Sequence, residues 1–283
     1  MSKLENRFPK KRVLITGATS GFGEALAYAL ADRGWKVAVT GRNLDAIKRT
    51  ADAVTQRGGT GVALQLEVRE KAQWDGVRQK LHEMWGGIDI LVNNAGVADA
   101  NKMVDTSDAA WDSIMSTNLD GVINGCRTYA PDMLKQKSGY ILNVASVAGL
   151  LAMPEMANYS VSKAGVIALS ETLYTELSGA KVGVTVLCPA GFKSSLLDKA
   201  VRDGRDASAN SVTGRLVEKD MLKGKHTSET VAAYAIQAME RGDLYSIPQA
   251  LYRLAWAAKR IAPGSFYRSV GWLYRNQVGP FGG

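Results

Sequence analysis

Short apolar runs alternate with stretches of helical periodicity along most of the chain. The apolar runs are near Arg12-Thr16, Lys36-Thr40, Gly61-Glu67, Ile88-Asn93, Tyr140-Ala145 and Lys181-Cys188, with a short seventh near Leu244-Ile247. Helical patterns fill the intervals near residues 22–33, 43–57, 70–85, 108–134, 156–178 and 227–241. This alternation predicts an α/β fold, a doubly wound parallel β-sheet of about seven strands with helices on both faces. Ligands of such sheets bind at the carboxyl ends of the strands.

Two amphipathic segments follow the last apolar run. If residues 249–262 form a helix with about 100° per residue, its mainly aliphatic side carries Leu251, Leu254, Ala255, Ala258, Ile261 and Ala262. The opposite side carries Tyr252, Arg253, Trp256 and Arg260. In residues 265–277 the same steps gather Phe266, Tyr267, Val270, Leu273 and Tyr274 against Arg268, Trp272, Arg275 and Asn276. We therefore expect one catalytic domain over residues 1–248 and a helical extension over 249–283. The extension either packs on its own enzyme or a partner subunit, or contacts a membrane through residues 249–277.

Composition and charge exclude several classes of protein. The 283 residues are 46% hydrophobic and 22% charged, and no apolar run approaches the roughly 20 residues that span a bilayer. The polar start and two cysteines, expected to be buried thiols, favour a cytoplasmic protein. The net charge of +8 is concentrated at the two ends, because residues 1–12 carry +4 and residues 245–283 carry +5. Such a distribution forms no reading helix or groove, so nucleic acid is not an expected partner.

A glycine-rich turn connects the first predicted strand to the first helix. Its spacing is Gly-x-x-x-Gly-x-Gly, from Gly17 through Gly21 to Gly23. Glycine lets the backbone turn without a Cβ penalty and lets a diphosphate approach main-chain N–H groups, while the helix directs its positive end at the phosphates. The residues expected to bind a cofactor here are Gly17, Thr19, Ser20, Gly21, Phe22 and Gly23.

The end of the second predicted strand indicates the coenzyme. An acid at this position binds ribose hydroxyls, whereas a 2′-phosphate requires a cation. Here Gly41 is small and Arg42 offers a planar bidentate donor, which favours NADP over NAD. The alternative is a solvated arginine at a helix start. Arg33 and Arg49 are interpreted as surface charges.

Polar residues that suit proton transfer follow the fourth and fifth predicted strands. Asn94, Ala95 and Gly96 offer amide groups and space for a ligand, and Ser146 ends the fifth strand. Tyr159 and Lys163 are four residues apart on one predicted helix, so the ammonium can lie below the phenol. The ammonium and a positive oxidised nicotinamide together would lower the pKa of the phenol. Tyr159 could then exchange a proton while Ser146 holds the substrate oxygen. The alternative is a packed tyrosine beside a snorkelling lysine.

Taken together, these motifs resemble the short-chain dehydrogenase/reductase family over about residues 10–248. The matching residues include Thr16, Asn93, Asn118 and Cys188 besides those above, in the family's order. The resemblance implies a seven-stranded Rossmann-type sheet, Tyr159 as acid/base, Ser146 orienting a carbonyl, Lys163 on the nicotinamide ribose and Asn118 holding a water in a proton relay. It also implies cofactor contacts from Glu67, Val68, Pro189, Gly191, Phe192 and Ser194.

The chain departs from the family at three places. Glu67 stands where the family usually has an aspartate that meets the adenine amine, and Pro189-Ala190 stands where it usually has Pro-Gly. The polar stretch 193–226 corresponds to the substrate lid, and the extension 249–283 exceeds the family's minimal length.

The expected function is an NADP(H)-dependent oxidoreductase that interconverts an alcohol and a ketone or aldehyde, on an apolar substrate. A homo-oligomer is expected and no metal is. The alternative is a non-catalytic NADP-binding or scaffold protein with the same fold. The combination of Asn118, Ser146, Tyr159 and Lys163 speaks for the enzyme, because a binding protein does not need it.

Overall fold

Seven parallel strands form one sheet at the centre of the molecule. The computed structural model describes residues 3–192, 211–216 and 226–281. The strands are β1 (Arg12–Thr16), β2 (Lys36–Gly41), β3 (Thr60–Gln65), β4 (Ile90–Asn93), β5 (Gly139–Val144), β6 (Val182–Leu187) and β7 (Tyr245–Ser246). Their order in the sheet is β3-β2-β1-β4-β5-β6-β7. Because β1 lies between β2 and β4, the chain reverses direction across the sheet there, and a crevice opens at the carboxyl ends of these strands. The doubly wound parallel sheet expected from the sequence is confirmed.

Helices cover both faces of the sheet. They are α1 (Lys3–Arg7), α2 (Gly21–Ala31), α3 (Leu44–Gln56), α4 (Lys71–Trp85), α5 (Asp108–Met115), α6 (Gly121–Gln136), α7 (Val147–Leu151), α8 (Ala157–Glu176), α9 (Ser228–Arg241), α10 (Ala250–Ile261) and α11 (Pro263–Asn276). Shorter helical turns lie at Met103–Asp105, Ser178–Ala180, 212–216 and Gly279–Phe281. Side chains of α1, α2, α3 and α9 form one apolar cluster against the sheet. Side chains of α4, α6 and α8 form the other.

The helix predicted over residues 108–134 is interrupted. A π-helical turn at Ser116–Asp120 separates α5 from α6, and Asn118 lies fully buried within this turn. A π-turn admits one extra residue into the helix and often occurs at functional sites. The weak helix preference of Asn118 therefore marked a real interruption. The pattern did not predict α1 and α7, because five residues are too few to show helical periodicity.

The amino-terminal helix is fixed to distant parts of the chain. Leu4 and Phe8 are buried against the sheet, and Trp35 donates its indole N–H to Glu5 at 2.9 Å. The Arg7 guanidinium donates to the carbonyl oxygen of Lys181 at 2.9 Å, across 174 residues of sequence. Helix α1 thus joins the beginning of the chain to the sixth strand.

A buried ion pair connects β1 to β4. The Arg12 guanidinium binds both carboxylate oxygens of Asp89, at 3.1 and 2.6 Å, and the Arg12 backbone N–H donates to the same carboxylate at 2.9 Å. The Trp85 carbonyl accepts a further bond from Arg12 at 3.0 Å. Both charged side chains are almost fully buried, and each compensates the other's loss of hydration.

The carboxyl-terminal helices pack on the protein itself. Tyr252, Ala255, Trp256 and Phe266 lie against the cluster below α4, α6 and α8. On α11 the side with Phe266 and Tyr267 is half-buried and the side with Arg268 is exposed. On α10 Tyr252 and Trp256 face the protein, while Leu251, Leu254 and Ile261 are exposed. Aromatic rings bury more area than leucine and reach further across the gap to the sheet. No helix among the described residues has both the length and the apolar character needed to cross a membrane.

Candidate active site

A cleft of about 710 Å³ opens at the carboxyl ends of the central strands. Within the described residues it is larger than a second pocket of about 550 Å³ near Arg42 and Lys80. Fifteen residues expected to bind the cofactor line it: Gly17, Thr19, Ser20, Gly21, Phe22, Arg42, Glu67, Val68, Asn94, Ala95, Gly96, Tyr159, Lys163, Pro189 and Phe192. Gly23 and Gly191 are not among the lining residues, and Ser194 lies outside the described residues. Most of the residues expected to bind a cofactor therefore line one cleft, and their binding of a cofactor stays a prediction.

The glycine turn leaves a cradle that side chains would fill. Gly17 has a φ of +63°, and a Cβ there would lie 2.9 Å from the Ala95 Cα. A Cβ on Gly23 would lie 2.4 Å from the Asn94 side-chain nitrogen. That nitrogen donates to the carbonyl oxygens of Thr16 at 2.8 Å and Gly17 at 3.0 Å. Asn94 thus holds the shape of the turn, and Gly23 allows helix α2 to approach it. An elongated ligand with a diphosphate group fits this cradle.

Two arginines line the end of the cleft near β2. Arg42 follows the strand, and Arg49 lies about two turns along α3. The helix begins at Asn43, whose side-chain oxygen accepts the N–H of Ala46 at 2.9 Å. Arg49 was interpreted from the sequence as a surface charge; it is exposed, but it also lines the cleft. The spacing from Asn43 through Ala46 to Arg49 is the signal that could have shown this, because residues three apart share a helix face.

The carboxylate of Glu67 already accepts hydrogen bonds from another residue of the protein, Arg69. It accepts from the Arg69 guanidinium at 2.9 Å and from the Arg69 backbone N–H at 3.3 Å. Partial burial would raise the pKa of Glu67, but these hydrogen bonds and the charge of Arg69 outweigh it and lower the pKa. The longer side chain therefore has a partner already, and a contact with an adenine amine would have to compete with Arg69.

Three catalytic candidates meet at the ends of β5 and α8. Ser146 begins α7, and its hydroxyl accepts the Ala148 N–H at 3.1 Å. Tyr159 lies in the first turn of α8, where the Ser146 side chain acts to lower the pKa of its phenol. One turn later, the Lys163 ammonium lies 5.7 Å from the centre of the Tyr159 ring and donates to the Val144 carbonyl at 2.9 Å. The four-residue spacing on one helix and the serine at the strand end thus produce the cluster that the sequence predicts.

Asn118 connects the loop after β4 to this cluster through hydrogen bonds of its side chain. Its side chain accepts the Val97 N–H at 2.8 Å and donates to the Val97 carbonyl at 2.9 Å. A Cβ on Gly96 would lie 3.2 Å from the Asn118 oxygen and 3.5 Å from the Lys163 nitrogen. Asn118 therefore fixes the loop after β4 against the lysine. Its role in a water relay stays a prediction.

Burial dominates the protonation of the cluster. It raises the pKa of Tyr159 above the ordinary value of 10.0, although the hydrogen bond with Ser146 acts in the opposite direction. The lowering of the phenol pKa that is expected from Lys163 together with a bound oxidised nicotinamide stays a prediction. Burial lowers the pKa of Lys163 from 10.5 to about 8, with a smaller opposing effect from Cys188. Burial likewise raises the pKa of the Cys188 thiol to about 12. At neutral pH the phenol therefore keeps its proton, which is the form that a general acid requires.

A buried carboxylate that the sequence analysis did not single out lies beside Tyr159. Asp99 accepts from the Asn158 side chain at 3.0 Å and from the Asn101 side chain at 2.7 Å. The Asn158 oxygen in turn accepts the Tyr159 backbone N–H at 2.7 Å. These bonds fix the start of α8 to the loop after β4. Only the fold brings these residues together, because 59 positions separate Asp99 from Asn158.

Comparison with known proteins agrees with this geometry. The family model described as short chain dehydrogenase matches residues 11–205. A 3-oxoacyl-[acyl-carrier-protein] reductase of Staphylococcus epidermidis is 37% identical over 68% of this chain and 79% of its own. A short chain dehydrogenase/reductase from Burkholderia phymatum, solved in complex with NAD, has a TM-score of 0.82 and 30% identity, covering 89% of this chain and 93% of its own. A short-chain dehydrogenase from Sphingobium yanoikuyae, solved with NADPH, has a TM-score of 0.74 and 25% identity, covering 90% and 94%.

Proposed function

The chain belongs to the short-chain dehydrogenase family of oxidoreductases, which act on alcohol and carbonyl groups, and from this premise we propose that it uses NADP(H) on an apolar substrate. The observation that carries the proposal is the meeting of Ser146, Tyr159 and Lys163 beside the cleft. In the direction of reduction, the product is an alcohol.

The three side chains would divide the work of protonating a carbonyl oxygen. NADPH, when bound, supplies a hydride to the carbonyl carbon. The Ser146 hydroxyl donates a hydrogen bond that holds the carbonyl oxygen near the phenol. The Tyr159 O–H bond breaks as its proton moves to that oxygen, and the nearby Lys163 ammonium stabilises the phenolate that remains. In the reverse direction the phenolate accepts the alcohol proton.

The preference for NADP rests on the arginine pair. Arg42 and Arg49 line the cleft at the end of β2, and no acidic residue in the described part of that β2–α3 connection lines it with them. Two guanidinium groups favour a 2′-phosphate over a bare ribose hydroxyl. The two solved relatives described above are complexes with NAD and with NADPH, so the choice has to come from these residues.

The apolar substrate is supported by the surroundings of Tyr159. The phenol belongs to a small cluster with Ala98, Ala100, Ala148 and Met156, and Met153 packs against it. Side chains of this kind favour an alkyl chain over a charged or hydroxylated one. Because the staphylococcal relative is named a 3-oxoacyl-[acyl-carrier-protein] reductase, a 3-oxoacyl thioester is the first compound to test.

A coupled absorbance assay with NADPH and a panel of carbonyl compounds tests the proposal. The panel should contain 3-oxoacyl thioesters, long-chain ketones and aldehydes, and small polar ketones as the contrast. Tyr159→Phe should lower kcat by about 100-fold or more, because positioned acid catalysis is worth at least that much, while NADPH binding persists. Tyr174→Phe is the matched control, an exposed tyrosine on the same helix. A Tyr159→Phe enzyme with more than about a tenth of normal activity would remove the assigned role.

The coenzyme is tested by direct titration with NADPH and NADH. Arg42→Ala should weaken NADPH binding by about 10- to 150-fold, the worth of about 1.5 to 3 kcal/mol for hydrogen bonds to a charged group. Arg49→Ala should also weaken NADPH binding, because this guanidinium lines the same end of the cleft. Neither change should alter NADH binding. Lys48→Ala, which removes an exposed charge from the same helix outside the cleft, is the control. A wild-type preference for NADH would refute the assignment.

The same experiments distinguish the alternative protein. A non-catalytic NADP-binding or scaffold protein would bind NADPH and turn over no member of the panel. The division into residues 1–248 and 249–283, the cytoplasmic location and the homo-oligomer stay predictions.

A further inference from the structure

The two sides of helix α10 differ in what they contact, because one side packs on the protein and the other faces outward. The inner side places Tyr252, Ala255 and Trp256 on the apolar cluster of the enzyme. Lys259, on the same side, donates to the Leu150 carbonyl and lies 5.7 Å from the centre of the Tyr267 ring. These contacts hold the helix against the protein and fix which side faces outward.

The outer side of α10 is aliphatic. Leu251 and Leu254 are each 70% exposed, and Ile261 is 85% exposed. At about 100° per residue these three side chains fall within one sector of the helix, opposite Tyr252 and Lys259. Scattered leucines on a surface are ordinary, but three on one helical stripe form a continuous apolar strip. Nothing in the described residues covers this strip.

Helix α11 adds an aromatic ring and two cations on its own outer side. Trp272 is 55% exposed, and Arg268 and Arg275 are exposed on the same side. Its inner side carries Tyr267 and Tyr274. Tryptophan at the edge of an apolar surface, next to arginine, is the arrangement found where proteins meet the boundary between lipid headgroups and acyl chains.

The positive charge of residues 245–283 indicates which kind of surface would cover the apolar strip. Residues 245–283 contain five cations and no acid. Arg260 lies 5.1 Å from the centre of the Trp256 ring, at one flank of the aliphatic strip. A second copy of this chain would cover the strip too, but it would bring its own outward arginines against Arg260, Arg268 and Arg275, and residues 245–283 have no acid to compensate them. An anionic surface compensates these three arginines.

We propose that the outer sides of α10 and α11 dock the protein on an anionic lipid surface. The docking face consists of Leu251, Leu254, Ile261 and Trp272, which enter the apolar boundary, and of Arg260, Arg268 and Arg275, which bind lipid phosphates. The docking itself does not depend on catalysis. It deepens the proposed function, because an apolar carbonyl compound dissolved in the membrane would be presented to the enzyme there.

The inner contacts connect this face to the catalytic cluster. The Tyr267 hydroxyl donates to the Leu151 carbonyl at 2.6 Å, at the end of the short helix that Ser146 begins. The Tyr274 hydroxyl donates to Glu155 at 2.9 Å, four residues before Tyr159. The docked surface and the substrate end of the cleft therefore belong to one packed unit, so that docking brings the lipid surface close to the active site.

Co-sedimentation with vesicles tests the proposal on the protein of 283 residues. Vesicles of equal parts phosphatidylcholine and phosphatidylglycerol are compared with pure phosphatidylcholine, at about 0.05 M and about 0.15 M salt. Each cation near an anionic surface strengthens binding about fivefold. We therefore expect strong binding to the anionic vesicles at low salt, weaker binding at high salt, and little binding to neutral vesicles.

Two variants distinguish the contributions to binding. The change Leu251→Ser with Leu254→Ser and Ile261→Ser should lower the partition coefficient by about 1,000-fold or more, since each side chain loses the gain from entering an apolar phase. Three exposed apolar residues elsewhere provide the control: Met84→Ser with Met103→Ser and Val104→Ser should leave binding unchanged. The change Arg268→Gln with Arg275→Gln should lower anionic-vesicle binding by about 25-fold, whereas Lys48→Gln with Lys71→Gln should not.

Three outcomes would overturn the proposal. These are no sedimentation with anionic vesicles at low salt, equal loss of binding in the serine variant and its control, and an oligomer in solution that the Leu251, Leu254 and Ile261 changes dissociate. The last would assign the strip to subunit contact. Tyr159→Phe should bind vesicles as the wild type does, so a failed docking assay and a failed catalytic assay remain separate results.

Discussion

Replacing Lys163 by methionine should make the protein more stable and inactive. Burial lowers the pKa of this lysine from 10.5 to about 8, so the folded state disfavours its charge by about 3 kcal/mol, at about 1.4 kcal/mol for each pH unit. Methionine has a similar length and no charge. Its cost is the hydrogen bond to the Val144 carbonyl, worth about 1 kcal/mol. At pH 7 the variant should therefore be more stable by about 2 kcal/mol.

The gain should depend on pH in a defined direction. Below about pH 8, Lys163 is protonated in both the folded and unfolded states, and the full penalty applies. Between about 8 and 10.5 the folded state releases its proton first, so the stability of the wild type rises with pH. Above that range the penalty vanishes, and the variant should be the less stable protein by the lost hydrogen bond.

Urea unfolding of both proteins at several pH values measures this difference in free energy. Lys48→Met, a change at an exposed lysine on α3, should stay within about 0.5 kcal/mol of the wild type at every pH. The activity assay on the same samples should show that Lys163→Met has lost turnover. A variant less stable than the wild type at neutral pH, or a difference that does not change across this pH range, would refute the reasoning from burial.

Two further predictions concern stability and the cradle. Asp89→Asn should cost about 3 to 5 kcal/mol in urea unfolding, because Arg12 stays buried without a counter-charge; Asp32→Asn, which loses only an exposed pair with an arginine, should cost less than about 1 kcal/mol. Gly23→Ala should abolish coenzyme binding in a fluorescence titration, since its Cβ meets atoms at 2.4 Å. Gly76→Ala, where a Cβ meets nothing within 4 Å, should leave binding intact and add up to about 1 kcal/mol of stability; normal binding by the first variant would contradict the assigned geometry.

The sequence predicted what depends on local pattern. The positions of the seven strands, the glycine turn and the spacing of Tyr159 and Lys163 follow from periodicity and from residue types, and the fold brings them to one edge of the sheet as expected. A parallel sheet with right-handed crossovers leaves few other arrangements. For this reason most of the cleft could be identified from residues next to strand ends.

What the sequence did not predict depends on burial and on contacts between distant elements. The direction of the Tyr159 pKa change is set by how much protein surrounds the phenol, which no spacing reveals. Which side of α10 faces outward depends on which side chains reach the neighbouring apolar cluster. The rings of Tyr252 and Trp256 pack against that cluster, and the aliphatic side is left exposed. Arg49 was misread because its exposure is compatible both with a surface charge and with the rim of a cleft.

The hydrogen bond between Arg7 and Lys181 determines when helix α1 can reach its native contacts during synthesis. Helix α1 cannot complete its native bonds until the sixth strand has been made, because 174 positions separate Arg7 from Lys181. Until then, the apolar side chains of Leu4 and Phe8 have no finished sheet to cover. Loop closure over such a separation is slow compared with local helix formation. Helix α1 is therefore among the last of these elements to reach its native contacts, although it is translated before every strand of the sheet.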